Sequence, residues 1–291
     1  MTHCMFADDT TLFASTRRGL ATMIDDVQVA LSEHGLNLNL GKCMVQTNCQ
    51  QTTAKDITVT GHRIPIVSAE IGFTVLGTQF SVSGRTSAEV RARIKKAWGK
   101  FHQLWPVLGK KEGNIAKRLR LFDMTVTQTV LWCNESWLLT ANEKRLLKST
   151  QNEMLRRIAG PRRITGEDWV SWIKRSTRAA RIEADGAKIR WWLQTHLACK
   201  WGWAGHVVRR PDSRLAKQAT EWRDSAWWAR ELETSTQALR LHRPRRERWF
   251  RWEDDLRKFA ASNNWSSWQD TARKRNVWSS SCDSFVKFVM K

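Results

Sequence analysis

All 18 tryptophans of the chain lie in residues 85–291, and residues 1–84 hold none. The two stretches differ in texture as well. Residues 1–84 mix short apolar runs with Gly, Thr and Asn and read as strands around one helix, Arg17 to His34. Residues 85–291 show few strand signals and repeated helix starts. Thr86-Ser87-Ala88-Glu89 fits a capping box, and Thr140-Ala141-Asn142-Glu143 repeats it. After Thr86, Val90, Ile94, Ala97, Trp98 and Phe101 recur at three- and four-residue intervals, the helical period. Further helices are predicted over Ile115–Leu131, Glu143–Ala159, Ala184–Ala204 and Arg246–Ala261, punctuated by Gly160-Pro161 and Arg210-Pro211. The expected fold class is α+β. Short antiparallel strands and a helix occupy 1–84, a helical region follows over 85–165, and a basic, Trp-rich helical region closes the chain over 166–291.

Charge divides at the same place. Residues 1–84 carry 5 basic and 7 acidic side chains, and residues 85–291 the remaining 44 and 21, so nets of −2 and +23 make up the overall +21. So concentrated an excess of cations repels itself unless a polyanion shares the surface. Nucleic acid is the natural partner, because each phosphate neutralised releases condensed counterions. No run of about eighteen apolar residues is present, so no membrane partner is expected. The first ten residues carry Asp8 and Asp9 in place of a basic, then apolar leader, so an intracellular chain is expected. The six cysteines form no CxxC pair, and reduced, mostly buried thiols are expected rather than a zinc site.

The chemistry-bearing motif is Phe6-Ala7-Asp8-Asp9, between Thr2-His3-Cys4-Met5 and Thr10-Thr11-Leu12-Phe13. It reads as strand, tight turn on two aspartates, strand. Two adjacent carboxylates repel when desolvated, and a divalent cation relieves that cost. The bland alternative is a solvated turn. Downstream come Gly35-Leu36-Asn37-Leu38-Asn39-Leu40-Gly41-Lys42-Cys43 and the hairpin-like Phe73-Thr74-Val75-Leu76-Gly77-Thr78-Gln79-Phe80. Farther on lie Trp203-Ala204-Gly205-His206-Val207-Val208-Arg209-Arg210-Pro211, then His242 to Trp249 with Trp252 to Leu256, and finally Trp268 to Trp278.

In that order the motifs resemble the palm, thumb and tail of reverse transcriptases of the non-LTR (LINE-type) retrotransposons, and the likeness spans nearly the whole chain. The resemblance implies a truncated palm over 1–84, ahead of a helical thumb and C-terminal region. It implies Asp8 and Asp9 as Mg²⁺ ligands and Lys42 as a catalytic lysine beside the departing pyrophosphate; for Lys42 an ordinary exposed lysine is the equal alternative. Leu76 and Gly77 become the tip of a hairpin that grips the primer. The implied partners are RNA template, DNA primer or target and, in the parent enzyme, dNTPs, with a nuclear location for a functional element. Lys95, Lys96, Arg209, Arg210, Arg243, Arg245, Arg246 and Arg248 are the candidate phosphate contacts. Arginine pairs bidentately with phosphate, and interleaved Trp249 stacks on bases or packs inward.

The sequence departs from the family at Phe6 and Val75, where tyrosine is usual. It also shows no acidic residue before Asp8 for the third metal-binding position, and no fingers. Because positioning supplies most of the rate in phosphoryl transfer, the expectation is a chain that binds nucleic acid without polymerising. The competing expectation is a non-catalytic RNA- or DNA-binding protein derived from such an element. Pro211-Asp212 with Asp224 loosely matches a nuclease spacing and reads more simply as a turn ahead of a helix. His206 reads as a packed histidine beside Trp203.

Overall fold

The computed structural model describes residues 3–47, 55–59, 61–67, 72–80, 86–221 and 251–291. The fold is α+β, and the chain divides into two compact units, Met1–Lys95 and Lys96–Lys291.

In the first unit, β1 (His3–Phe6) and β2 (Asp9–Leu12) form an antiparallel hairpin, with His3 opposite Leu12 and Phe6 opposite Asp9. Helix α1 (Arg17–Ser32) follows, opened by the Thr16 hydroxyl, which accepts the Gly19 N–H at 3.0 Å. A short 3₁₀ turn (Leu40–Lys42) leads into β3 (Val45–Gln46). Strand β3 runs parallel to β5 (His62–Val67), whose other edge pairs antiparallel with β4 (Asp56–Val59). Ile24 of α1 and Ile57, Val59 and Ile64 of the sheet make the core, joined by Leu12, Leu20, Leu38, Leu40, Cys43 and Ile66. A second antiparallel hairpin, β6 (Phe73–Val75) and β7 (Thr78–Phe80), precedes helix α2 (Ser87–Gln103). Gly72 before β6 is at φ +70°, and a Cβ there would lie 1.9 Å from the Phe80 carbonyl oxygen, so only glycine fits.

The second unit is helical. After α2 comes α3 (Trp105–Leu108); α4 (Ile115–Phe122), a π-helical turn (Asp123–Thr127) and α5 (Gln128–Val130) then occupy the span predicted over 115–131. Helix α6 (Ala141–Ala159) opens on the predicted capping box: Thr140 Oγ1 accepts the Glu143 N–H, and the Glu143 carboxylate accepts the Thr140 N–H at 2.7 Å. Helix α7 (Trp169–Gly186), which the sequence reading did not separate, packs along α6. The helix predicted over 184–204 is broken. Helix α7 ends with Lys188 at φ 56° and the Ile189 N–H bonded back to the Ala184 carbonyl at 2.9 Å, and α8 (Trp192–Val208) starts afresh. Apolar spacing runs through the break undisturbed, and a lysine holds the left-handed position where glycine would have signalled a stop.

Helix α8 is buried on several sides, touching α6 on one flank and the C-terminal helices on the other. Those are α10 (Asp254–Ser262), α11 (Trp268–Arg273), α12 (Arg275–Ser280) and α13 (Cys282–Met290); α9 (Leu215–Glu221) lies between. The predicted helix over 246–261 is present from Asp254 onward, and its residues 246–250 lie outside the described residues. The Trp201 and Trp278 indoles stack with centroids 3.5 Å apart and planes within 4°. Each Nε1–H donates to the other's backbone carbonyl, at 2.8 and 2.9 Å. Trp137, Trp192 and Trp268 are also buried, while Trp132 and Trp169 stand exposed. Five of the fourteen described tryptophans, these three with Trp201 and Trp278, are therefore fully buried core.

A polar knot sits inside this core. His196 is 2% exposed, stacks on Trp137 and shares a 2.9 Å hydrogen bond between Nδ1 and the Asn134 carbonyl. Burial, helped by the Lys200 charge, pushes its pKa down to about 3. Lys200, also buried, lies 3.2 Å from Asp255 and 5.6 Å over the Trp252 ring; burial lowers its pKa as well. Because the folded state holds His196 neutral, the unfolded chain binds the extra proton below the ordinary histidine value near 6.5. Stability tied to His196 is therefore complete above about pH 6.5 and falls as pH drops toward 3. The slope is roughly 1.4 kcal/mol per pH unit, or about 2 kcal/mol between pH 6.5 and 5. Urea unfolding at the two pH values should show that loss in the native chain and not in His196→Gln; equal losses in both would disprove it.

Candidate nucleic-acid interface

Asp8 lies in the turn of the β1–β2 hairpin and Asp9 begins β2, so adjacent carboxylates occur at the tip of a two-stranded ribbon. Both are exposed, as are Met5 at 67% and Phe6 at 66%. Ala7, the first turn residue, has φ 51°, a left-handed conformation that costs a residue with a side chain about 1–2 kcal/mol. Backbone strain of this kind is found at functional sites more often than elsewhere. Leu12, at the far end of β2, packs on the α1–sheet core and anchors the ribbon.

The same core holds Leu40 and Cys43, the neighbours of Gly41-Lys42, so Lys42 is carried on a 3₁₀ turn with its side chain exposed. No hydrogen bond or ion pair joins Lys42 to Asp8 or Asp9 among the described residues.

At the second hairpin, Leu76 (φ 48°) and Gly77 (φ 78°) both have positive φ, as a type I′ turn requires. Leucine at such a position is unusual; glycine, asparagine and aspartate are the residues that accept it. The tip is fixed from behind by α2. Arg93 donates through Nη2 to the Gly77 carbonyl and through Nε to Glu89, and Glu89 Oε2 accepts the Gln79 N–H at 2.5 Å. The Glu89 and Arg93 side chains are 4% and 7% exposed. By sequence alone Glu89 reads as a capping residue, and Arg93 belongs to no motif. The available signal was the i,i+4 spacing of acid and arginine on α2.

A two-metal site needs more than a pair of carboxylates. Mg²⁺ keeps several waters and takes one or two carboxylates, with substrate phosphates completing the shell. Asp8 and Asp9 supply two adjacent, solvent-facing acids. Among the described residues, no group of three His, Cys, Asp or Glu side chains is placed to share one metal ion. The five described cysteines are half-buried free thiols, less enclosed than expected, and Cys49 lies outside the described residues.

Of the predicted phosphate contacts, Lys95 and Lys96 are exposed on α2. Arg209 and Arg210 are exposed, and each also donates a hydrogen bond within the protein. Arg209 Nη1 donates to the Ala272 carbonyl at 2.7 Å, and Arg210 Nε donates to His206 Nε2 at 2.9 Å. His206 stacks on Trp203 as expected and is exposed. Asp212, the weak nuclease candidate, pairs with Lys217. Arg243, Arg245, Arg246 and Arg248 lie outside the described residues. Gly205 explains why two distant motifs belong together: a Cβ there would meet Trp278 Nε1 at 2.5 Å and Cδ1 at 2.6 Å. The stretch 203–211 and the stretch 268–278 are therefore two sides of one packed joint.

Comparison with known proteins agrees with a mobile-element origin. The chain is 25% identical to a transposon-derived protein of Caenorhabditis elegans, across 96% of this chain and 94% of that protein. It is 34% identical over 87 residues to the Pol polyprotein of a type-2 retrotransposable element of Drosophila melanogaster, covering 28% of this chain and 8% of the polyprotein. No protein-family model matches the chain. No solved structure matches it. Together the two similarities support a transposon origin.

Proposed function

We propose that the chain is the carboxy-terminal part of a non-LTR retrotransposon reverse transcriptase, comprising the end of the palm, a thumb and a basic tail. In this reading it binds RNA or primer–template duplex and does not polymerise alone. The observation that carries the proposal is the presence of two hairpins, each with its own tip. One presents adjacent aspartates at its exposed tip, and the other is a type I′ turn pinned by α2, in the order the family motifs require. The retrotransposon Pol similarity supports it independently. Mg²⁺ belongs to the intact parent enzyme; Asp8 and Asp9 are the residues that would face it.

The duplex-binding role rests on electrostatics. Residues 85–291 carry the net +23, and phosphate neutralisation makes affinity strongly salt-dependent. A second reading, a non-catalytic binding protein derived from such an element, gains weight from the nematode relative, which is matched over 94% of its length. Binding is common to both.

Primer extension with Mg²⁺, dNTPs and a primed RNA template should give no product, and robust synthesis abolished by Asp8→Ala would overturn that half of the proposal. Nucleic-acid affinity should survive Asp8→Ala and Asp9→Ala within about twofold, since exposed acids add nothing to phosphate binding. Replacing Arg243, Arg245, Arg246 and Arg248 with alanine should lower the salt slope by roughly one per lost phosphate contact. An unchanged slope removes that stretch from the interface.

A further inference from the structure

Helices α6 and α7 lie side by side and present one basic face that no sequence motif singles out. Two hydrogen bonds set their register. Arg156 Nη1 donates to Thr177 Oγ1 at 3.2 Å, and Arg181 Nε donates to Asn152 Oδ1 at 2.9 Å. The bonded positions step four residues back on one helix and four forward on the other, so the helices are antiparallel. On α6, Arg145, Lys148, Asn152 and Arg156 recur at three- and four-residue steps, a single stripe. On α7, Lys174, Arg178, Arg181 and Asp185 do the same. The two bonds join the stripes edge to edge, and an open groove of about 470 Å³ runs along the second from Lys174 to Asp185.

The face carries six cations against one acid. Arg145, Lys148, Lys174 and Arg178 are exposed, and Arg156 and Arg181 are half-buried. The three arginines on it that form side-chain hydrogen bonds bond neutral partners: Arg156 to Thr177, Arg181 to Asn152 and Arg145 to Asn142. Such bonds hold a guanidinium in place and leave its charge uncancelled. Among the described residues, Lys148, Lys174 and Arg178 have no side-chain hydrogen bond or ion pair. Off this face the same helices match their arginines with acids, Arg157 with Glu153 at 2.6 Å and Arg175 with Glu167 at 2.7 Å. Asp185 is the exception on the face, and it accepts the Trp191 Nε1–H at 2.9 Å.

Neither stripe contains an aromatic residue. The neighbouring indoles of Trp172 and Trp191 are half-buried, with the Arg156 and Arg181 guanidiniums 6.0 and 5.9 Å from their ring centres. The face therefore offers charge without a bare ring.

We infer that this two-helix face binds the sugar–phosphate backbone of duplex nucleic acid. From Arg145 to Arg156 the α6 stripe is about 17 Å long at 1.5 Å per residue, too long for one small anion and suited to a repeating one. Each phosphate neutralised releases more counterion from a duplex than from a single strand, and without a stacking ring nothing rewards free base faces. Contacts of this kind position a duplex without reading its sequence. The inference rests on the nucleic-acid-binding reading above and names a surface for it outside the motif arginines.

The test uses the full chain and anisotropy titrations across salt, with a labelled hairpin duplex, a labelled oligo-dT and unlabelled polyglutamate as competitor. Thermal midpoints check that each variant is folded. Lys148→Gln, Lys174→Gln and Arg178→Gln together should lower the slope of log duplex affinity against log salt by roughly one per cation, about three in all. Lys258→Gln, Arg275→Gln and Lys287→Gln remove as much charge from the exposed side of the C-terminal helices, and should lower that slope by less than about one. Asp185→Asn, which keeps an acceptor for Trp191, should tighten duplex binding by up to about fivefold, the order of one exposed charge pair. If both triple variants lower the slope equally, net charge alone governs binding, and the face is wrong while the general reading stands. If the face variant weakens only oligo-dT binding, or polyglutamate competes as well as duplex charge for charge, the duplex assignment is overturned. If the native chain binds neither probe at any salt, both the face and the general reading fall.

Discussion

Trp278→Ala is expected to lower the stability of the unit Lys96–Lys291 by about 3–5 kcal/mol, the usual cost of emptying a buried aromatic site. The ring is 2% exposed, lies flat on Trp201 and packs near Trp268 and Trp265. Its removal also takes away the Nε1–H that the Trp201 carbonyl accepts. Since whole domains are stable by only about 5–15 kcal/mol, most of the margin would be gone. Gly205→Ala should cost about 1–3 kcal/mol through overpacking against the same indole. In the Trp278→Ala background that cost should largely vanish, because the clashing atoms are absent. Guanidinium unfolding of the two single variants and the double gives the coupling directly, and strictly additive losses would show that Gly205 matters for some other reason.

Arg93→Met should cost about 3–5 kcal/mol in the first unit, because it leaves the Glu89 carboxylate buried without its cation. The Gly77 carbonyl loses a donor at the same time. Replacing both members, Glu89→Leu with Arg93→Met, should cost clearly less than Arg93→Met alone, since an apolar pair has no stranded charge. Amide exchange at Gln79, whose N–H is held by Glu89, would report loosening of the β6–β7 hairpin itself. If Arg93→Met unfolds at the same denaturant concentration as the native chain and Gln79 stays protected, the ion pair does not hold the hairpin.

The parts legible in the sequence were those governed by local rules. The Thr140–Glu143 capping box, helix α1 and the two hairpins follow from short-range chemistry, and each is present. The break between α7 and α8 was not legible, because Lys188 in a left-handed conformation leaves no compositional mark. Helix α7 was missed because its inner side is lined by small residues, Ser176, Ala180 and Ala184, in place of a bulky apolar stripe. At the candidate site, the Asp8–Asp9 turn was readable as adjacent carboxylates, whereas the Glu89–Arg93 clamp depends on where α2 lies against β7. Arg209 was readable as a cation but not as a tether: its Nη1 also donates to the Ala272 carbonyl, a partner 63 residues away in sequence.

The most direct test of nucleic-acid binding without metal-dependent chemistry is a titration of the full chain with a primed RNA–DNA duplex in EDTA, from 50 to 200 mM salt. The account predicts tight binding at low salt that weakens by about a thousandfold across that range, as expected for six or more phosphate contacts, and that Asp8→Ala leaves unchanged. Binding that is absent, indifferent to salt, or restored only by Mg²⁺ through Asp8 would contradict it.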